Sequence, residues 1–281
     1  MKTTKLLSGL FFIFLGCNSF AQNKELKDHI LFYSSFDGNV AADVAAGDQK
    51  MYTSKNYKEA ATAKAGLYDP HVVLAEGKGL SGDAIHFKQS KTSAVFYKAF
   101  KNVGYSPTSW SGTVSFWLRL DPNNELPPHY CDPVVVTDAQ WNDAALWVDF
   151  TDHTPRQFRY GAIGDKAAWN ANDEATNADW IKRTVVVNPA PFESESWTHV
   201  AMVFSEVNSK STFALYLNGA LQGTIENVKN NPFTWEAENG KIMLGLGYVG
   251  FMDELAVFNK ALKAEEIKAV YELKSGLSTL F

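Results

Sequence analysis

The stretch that decides the fold is "GFMDELAVFNKALKAEEIKAVYELK", residues 250–274. Its first part is apolar except for the pair Asp253-Glu254, a pattern typical of a strand that is buried on both faces and bulges at the acidic pair. After Asn259, four apolar residues follow at the spacing of one helical face: Ala264, Ile267, Val270 and Tyr271. This stretch predicts a buried strand followed by a single short helix that packs across the end of a β-structure.

Alternation of apolar and polar residues with a period of two dominates the rest of the chain. Clear examples are "TVSFWLRL" at residues 113–120, "ALWVDF" at 145–150 and "STFALYLNG" at 211–219. Turns rich in Gly, Pro, Asn and Asp separate these segments, and Asn218-Gly219 is typical of a two-residue primed turn. The pattern predicts an all-β fold, a two-sheet antiparallel jelly-roll sandwich with a short C-terminal helix. Because no linker interrupts residues 22–281, we expect a single domain.

The first residues, 1–21, have the pattern of a signal peptide. Lys2 and Lys5 precede a short apolar run, and Ser19-Phe20-Ala21 forms a small-x-small cleavage site. The apolar run is too short to be a transmembrane segment, which needs about 20 residues. We therefore expect a secreted or periplasmic protein. Leu15-Gly16-Cys17 resembles a lipobox, so lipid anchoring through Cys17 is the alternative.

Charge and cysteine content narrow the possible partners. The formal net charge is −5 and no long basic run occurs, which argues against nucleic acid as a partner. After cleavage Cys131 is the only cysteine, so no intramolecular disulfide can form. Stability must come from an apolar core, and the hydrophobic fraction of 46% is sufficient for one.

Six stretches in order along the chain resemble the laminin-G-like jelly-roll domains of the concanavalin A-like lectin and glucanase superfamily. The last is the ending already described, in which Gly250, Asp253-Glu254, "NKAL" and "EEI" match the pattern of the family. The others are "FDG" at 36–38, "SGDAIHF" at 81–87, "TVSFWLRL" at 113–120, "WTHVAMVF" at 197–204 and "LYLNG" at 215–219. The resemblance implies two antiparallel sheets packed face to face, one of them bent into a concave surface.

The resemblance also implies a structural calcium ion. Carried over residue by residue, the ligands are the side chain of Asp253, the main-chain carbonyl of Gly82, and Asp37 or its neighbours. A carboxylate inside a strand is costly unless it is paired or bound to a metal, which favours this interpretation. The alternative is that Asp253 only accepts hydrogen bonds from a turn.

The known catalytic patterns of the superfamily are absent from the sequence. The glucanase E-x-D-x-x-E strand and the R-x-E-x-R and Q-x-H strands of the alginate lyases do not occur. Strand alternation instead places polar and aromatic residues opposite the apolar faces. We expect five of them to form a glycan-binding surface: Trp117, Arg119, Trp147, Asp149 and Arg159. Arginines would suit a uronate or sulfate. The alternative is a solvated face on which Arg119 pairs with Asp149.

The function expected first is binding of a poly- or oligosaccharide. A polysaccharide hydrolase or lyase that uses Asp149, His129 or His153 with Arg159 is the first alternative, and a domain that binds another protein is the second. Whether the protein is an enzyme stays open. Among the other candidates, His199 is expected to be structural and Cys131 a buried thiol. Two or three of the loop tryptophans are expected to rim a ligand cleft: Trp141, and Trp169 and Trp180 in a polar insertion at 165–182.

Overall fold

The computed structural model describes residues 25–169 and 178–281. The predicted signal peptide and Cys17 lie outside the described residues, as do residues 170–177 of the polar insertion. In the described part, no helix is both long and apolar enough to cross a membrane.

The described residues form mostly strands, which confirms the predicted all-β class and the short C-terminal helix. The helices are α1 (Pro122–Glu125), α2 (Ala178–Ile181) and α3 (Ala264–Glu272), with 3-10 turns at Tyr57–Thr62, Ala237–Asn239 and Leu277–Leu280. The strands are β1 (Ile30–Ser34), β2 (Val44–Ala45), β3 (Met51–Ser54), β4 (Lys64–Ala65), β5 (Val72–Ala75), β6 (Ala84–Phe87), β7 (Ala94–Lys98), β8 (Trp110–Arg119), β9 (Cys131–Thr137), β10 (Ala145–Phe150), β11 (Phe158–Ile163), β12 (Thr184–Val187), β13 (Thr198–Val207), β14 (Thr212–Leu217), β15 (Ala220–Ile225), β16 (Lys241–Leu246) and β17 (Gly250–Phe258).

Within the described ranges, the strands form two antiparallel sheets. The nine-stranded sheet has the order β15-β14-β13-β8-β17-β1-β2, with β6 beside β17 and β5 beside β6. The eight-stranded sheet has the order β12-β11-β10-β9-β16-β7-β3-β4. Neighbours in these orders are often distant in the chain, as in β8 with β17, which is the connectivity of a jelly-roll sandwich.

The main core lies between the two sheets. Inward-facing residues from β8, such as Phe116 and Leu118, belong to the same buried cluster as Val134 and Val136 of β9. Alternation along each strand then leaves the other residues on the two outer faces of the sandwich.

Helix α3 packs on the outer face of the nine-stranded sheet. Its residues Ile267 and Val270 share a buried cluster with Tyr33 of β1 and with Ala256 and Phe258 of β17. The prediction that the helix packs across the end of the sandwich is therefore wrong. Strand β17 is apolar on both faces because one face meets the main core and the other meets α3.

The acidic pair of β17 lies where the strand changes partner. On one edge β17 pairs with β6 as far as Met252 and with β1 from Leu255 onward, so Asp253 and Glu254 fall between the two partners. On the other edge the register with β8 shifts between Asp253 and Ala256, and Glu254 has a φ of 54°. The predicted bulge at the acidic pair is confirmed.

The two carboxylates of this pair serve different segments of the chain. Asp253 accepts hydrogen bonds from the backbone N–H of Leu80 at 2.6 Å and of Glu254 at 2.8 Å. Glu254 accepts one from the Tyr33 hydroxyl at 2.9 Å and one from the N–H of Leu277 at 2.6 Å. The bulge thus ties β17 both to the loop before β6 and to the C-terminal segment.

Candidate functional site

A cleft opens on the outer face of the eight-stranded sheet, with a volume of about 270 Å³. Four aromatic residues, two carboxylates and one guanidinium form its walls. We call it the tryptophan cleft, and its lining residues are Tyr130, Asp132, Trp141, Trp147, Asp149, Arg159 and Trp180. An adjoining groove of about 620 Å³ shares Tyr130, Asp132 and Trp141 with the cleft and extends over β9 and β16.

Strand register brings the polar residues of the cleft together. On β10, Trp147 and Asp149 face outward because Leu146, Val148 and Phe150 belong to the main core. Asp149 lies directly opposite Arg159 of β11. The side-chain period of two, read from "ALWVDF" and "RQFRYG", therefore predicts this part of the site correctly.

A bulge in β9 adds Asp132 to the cleft. Cys131 pairs with Phe150 and Val134 with Val148, so the two residues between them on β9 lie opposite the single residue Asp149. The second of the two is a proline, which has no N–H to donate to the ladder and so favours such a bulge. The sequence reasoning missed Asp132, and the signal that would have found it is an Asp-Pro dipeptide inside a predicted strand. It also missed Tyr130, which carried no comparable signal.

The aromatic wall is built on the indole ring of Trp147, which stacks on that of Trp180 with 5.6 Å between ring centroids and 25° between the ring planes. Trp141 meets Trp180 edge to face at 5.9 Å. Strand β11 allows this arrangement because it carries Gly161 opposite Trp147, and a Cβ there would overlap the indole ring. Of the three loop tryptophans expected to rim a cleft, Trp141 and Trp180 line it, and Trp169 packs against Trp180 at 6.0 Å.

Arg159 and Asp149 form a paired, two-point contact. The Nε of Arg159 donates to Oδ1 of Asp149 at 2.8 Å, and a terminal nitrogen donates to Oδ2 at 2.5 Å. The guanidinium also lies over the rings of Tyr130 at 5.0 Å and Trp147 at 5.6 Å. The pair therefore holds its geometry through both hydrogen bonding and stacking.

Both carboxyl groups of the cleft have a raised pKa. Burial raises the pKa of Asp132 well above its usual range, and the charge of Asp149 raises it further. Burial also raises the pKa of Asp149, although the hydrogen bond from Arg159 and its charge oppose that shift. Of the two, Asp149 has the guanidinium as its partner, so Asp132 is the carboxyl group that holds a proton more readily.

Two of the predicted ligand residues, Trp117 and Arg119, do not lie in the cleft. Both belong to β8, so they face outward from the nine-stranded sheet on the opposite side of the molecule. Trp117 stacks on Tyr271 of α3 at 5.7 Å between centroids, and Arg119 lies over the ring of Phe251 at 4.4 Å. Alternation predicts which face of a strand a residue occupies but not to which sheet the strand belongs. The alternative prediction, that Arg119 pairs with Asp149, is wrong because β8 and β10 belong to different sheets.

The histidines lie outside the lining of the cleft. His129 lines the adjoining groove, where Nε2 is 3.2 Å from the Ser90 hydroxyl and Nδ1 is 2.7 Å from the carbonyl of Tyr130. His153 is exposed, 3.0 Å from the carboxylate of Asp152.

Two further candidate residues are buried away from the cleft walls. His199 is buried against the Ser115 hydroxyl at 2.9 Å, and burial lowers its pKa to about 3. Cys131 is a buried free thiol whose pKa is raised to about 12 by burial. Neither arrangement provides an activated nucleophile or base.

The three residues that the resemblance assigns to calcium lie around one glycine turn. A Cβ on Gly82 would overlap the carboxylate of Asp37, and one on Gly79 would lie 2.7 Å from Oδ2 of Asp253. The carbonyl of Gly82 accepts a hydrogen bond from the N–H of Gly79 at 2.9 Å. In residues 25–169 and 178–281, no group of three or more His, Cys, Asp or Glu side chains is arranged to hold a metal. Two carboxylates and a carbonyl are donors that calcium accepts, with further carbonyls and waters needed to complete its shell of oxygens.

Comparison with known families gives a match over residues 97–268 to the Laminin_G_3 family model, described as the concanavalin A-like lectin/glucanases superfamily. No curated protein matches the chain.

Solved structures with the same fold include several binding domains. Domain 4 of AbnA, a GH43 extracellular arabinanase from Geobacillus stearothermophilus solved with arabinotriose, matches with a TM-score of 0.53 at 16% identity, over 85% of this chain and 97% of that one. The binding domain of Botulinum Neurotoxin DC, in complex with SialylT, matches with a TM-score of 0.56 at 12% identity, over 90% and 52%. The binding domain of Paraclostridial Mosquitocidal Protein 1 matches with a TM-score of 0.51 at 15% identity, over 88% of this chain and 52% of that one. This chain thus spans about half the length of the two toxin chains. At these identities the similarity shows the fold alone.

Proposed function

Since the chain belongs to the concanavalin A-like lectin/glucanases superfamily, we propose that its tryptophan cleft binds a carbohydrate. The observation that carries this proposal is the stacked pair of Trp147 and Trp180 beside two carboxylates in one cleft. The C–H face of a sugar ring packs on an indole, and its hydroxyls donate to carboxylates, so this combination suits a saccharide.

The adjoining groove supports an oligosaccharide rather than a single sugar as the ligand. Cleft and groove share three lining residues, so a chain of sugars can continue from one into the other. Domain 4 of AbnA was solved with arabinotriose, which supports a glycan ligand for a domain of this fold. A polysaccharide or one of its fragments is therefore the proposed partner.

The test is a glycan-array screen of residues 22–281, followed by calorimetric titration of each hit. We expect binding to one class of poly- or oligosaccharide, and we expect Trp147→Ala to weaken it roughly thirtyfold. Tyr68→Ala is the matched control, because Tyr68 is an exposed aromatic residue that lines neither the cleft nor the groove. Binding that Trp147→Ala leaves unchanged would place the site elsewhere, and the absence of any carbohydrate ligand would contradict the proposal.

A second candidate function is glycoside hydrolysis, which is favoured by the presence of both Asp132 and Asp149 in the cleft. Asp132, the carboxyl group that keeps its proton more readily, would act as the general acid. Asp149 would have to act as the base or nucleophile while its two oxygens are bonded to Arg159. Chromatography of each glycan that binds, after incubation with the protein, tests this function. Shortened chains that disappear with Asp132→Asn would support hydrolysis, and intact chains would leave binding alone.

We also propose that calcium binds at the glycine turn through Asp37, the carbonyl of Gly82 and Asp253. The clustering of these oxygen donors, with Asp253 fully buried, supports the ion. Calcium would link the loop before β6 to the bulge of β17. The expected result is a melting temperature that rises with added calcium and falls with a chelator. Asp37→Asn should abolish this difference, and equal melting temperatures with calcium and with chelator would contradict the proposal.

Export of the protein is a further proposal, supported by the signal-peptide pattern at residues 1–21. The mature protein would be secreted or periplasmic and begin at Gln22. Mass spectrometry of the protein from the medium or periplasm tests this start. A lipid-modified protein beginning at Cys17 in the membrane fraction would favour anchoring instead.

A further inference from the structure

We infer that the tryptophan cleft selects uncharged sugars and rejects uronate and sulfated sugars. This inference rests on the proposed carbohydrate binding and specifies the chemical class of its ligand. It reverses the expectation from the sequence, in which arginines on the binding face suited acidic sugars.

The guanidinium of Arg159 is not free to bind an acidic sugar. An arginine recognises a ligand carboxylate or sulfate through the fork formed by its N–H groups. Here Nε and a terminal nitrogen of Arg159 are already bonded to the two oxygens of Asp149. The face of the guanidinium is covered as well, by Tyr130 and Trp147. The cation is therefore committed to the protein's own carboxylate.

The charged side chains of the cleft also disfavour an acidic sugar. Asp132 is a second carboxyl group in the lining, and Arg159 is the only cationic residue among the cleft's described lining residues. No salt bridge or hydrogen bond to the side chain of Asp132 is seen in the described part of the chain. The cleft thus holds two carboxyl groups for one guanidinium, and an acidic sugar would add a third acidic group that no further cation in the lining balances.

Aromatic rings and a carboxyl group in the cleft suit an uncharged sugar. The aromatic rings that line the cleft, of which Tyr130 and Trp141 are the exposed ones, have electron-rich faces that attract the C–H groups of a sugar ring but not an anion. Asp132 can accept hydrogen bonds from hydroxyls when ionised and donate one when protonated.

Lysines are present nearby but outside the cleft. Lys58 and Lys91 line the adjoining groove, where Glu59 also lies. The inference therefore applies to the sugar unit that occupies the cleft, and acidic substituents are tolerated only on units further along the chain.

The test compares oligosaccharides that differ only in charge. Each neutral hexo-oligosaccharide that binds is paired with the same chain oxidised at C6 to the uronate, and both are titrated calorimetrically. We expect oxidation to weaken binding roughly tenfold or more, because three acidic groups would then share a partly buried site with one guanidinium that is already paired. Equal or tighter binding of the oxidised chain would overturn the inference while leaving the proposed function intact. Absence of binding in both series would overturn the proposed function itself.

Two variants identify the residues responsible. Asp132→Asn removes one carboxylate at nearly constant shape, and we expect the discrimination to shrink to about threefold or less. Asp149→Asn leaves Arg159 without its partner, and we expect the preference to shift toward the oxidised chain. Near-ultraviolet circular dichroism checks that each variant is folded. Discrimination that persists in a folded Asp132→Asn variant would mean that shape and not charge rejects the uronate, which would also overturn the inference.

Discussion

The outer faces of the two sheets carry similar side chains but use them differently. On the eight-stranded sheet, Trp147 lies beneath a cleft and contacts Trp180. On the nine-stranded sheet, Trp117 lies beneath Tyr271, a residue of helix α3. The exposed fractions of the two tryptophans, 2% for Trp147 and 3% for Trp117, do not distinguish them. The difference lies in what covers each ring: Trp147 is covered by Trp180, itself a wall of the cleft, whereas Trp117 is covered by helix α3.

The arginines of the two faces repeat this contrast. Arg159 has its charge neutralised by Asp149 and lies in the cleft. Arg119 lies between the rings of Phe251 and Trp197, 4.4 and 4.9 Å from their centroids, and its Nε has no hydrogen-bond partner among the described residues. One face thus presents a cleft with paired charges, and the other presents an arginine stacked between two aromatic rings.

The largest expected effect is on stability, from Trp117→Ala. This change removes a buried indole that packs on Tyr271 and His199, so we expect unfolding free energy to fall by about 3–5 kcal/mol. Binding of the glycan identified by the array should not change, because the cleft lies on the other sheet. Urea titration gives the stability, and calorimetry under folding conditions gives the affinity. A large loss of affinity in the folded variant would contradict the separation of the two faces.

The next effect is on binding, from Trp147→Ala. Loss of the indole on which Trp180 stacks should weaken glycan binding by about 2 kcal/mol, or roughly thirtyfold, as for the central aromatic residue of an interface. Trp180 then has no partner for its stacked contact, so the aromatic wall is lost as a unit. Isothermal calorimetry measures the affinity. An unchanged affinity in the folded variant would mean that the cleft is not the binding site.

A smaller effect is expected from Gly161→Ala on β11. The added methyl group would overlap the Trp147 indole, which must shift and so change its stacking on Trp180. We expect an affinity roughly tenfold weaker, since the ring is displaced but not removed. Near-ultraviolet circular dichroism should report the changed environment of the tryptophans. An unchanged spectrum together with unchanged affinity would show that the indole does not depend on the glycine.

The fold was largely predictable from the sequence because its signals are local. Period-two alternation predicts strands, and Asn218-Gly219 predicts the tight turn between β14 and β15, where both residues have positive φ. The acidic pair in an apolar strand predicted the bulge of β17. The predicted position of α3 was wrong. An amphipathic helix requires an apolar surface, and the sequence does not say which surface of the sandwich is left uncovered.

The site was predictable only where its residues share neighbouring strands. Trp147, Asp149 and Arg159 lie on β10 and β11, which are consecutive in the chain and paired in the sheet. Trp117 and Arg119 were assigned to the same site because alternation gives a face but not a sheet. Sheet membership depends on long-range pairing, such as β8 with β17, which no local pattern specifies.

The smallest expected effect concerns His199, which lies opposite Trp117 on β13. Burial lowers the pKa of His199 to about 3, whereas an unfolded imidazole has a pKa of about 6.5. Below that higher value the unfolded chain binds a proton that the native protein does not, so this residue lowers stability as the pH falls from 6.5 toward 3. In His199→Gln, the loss of stability between pH 7 and pH 5.5 should shrink by about 1 kcal/mol. Urea titrations at the two pH values measure this difference, and Trp147→Ala provides a matched control that keeps His199. An identical pH dependence in the wild type and His199→Gln would mean that His199 is protonated in the native state, and that the face beneath α3 is less closely packed than its contacts indicate.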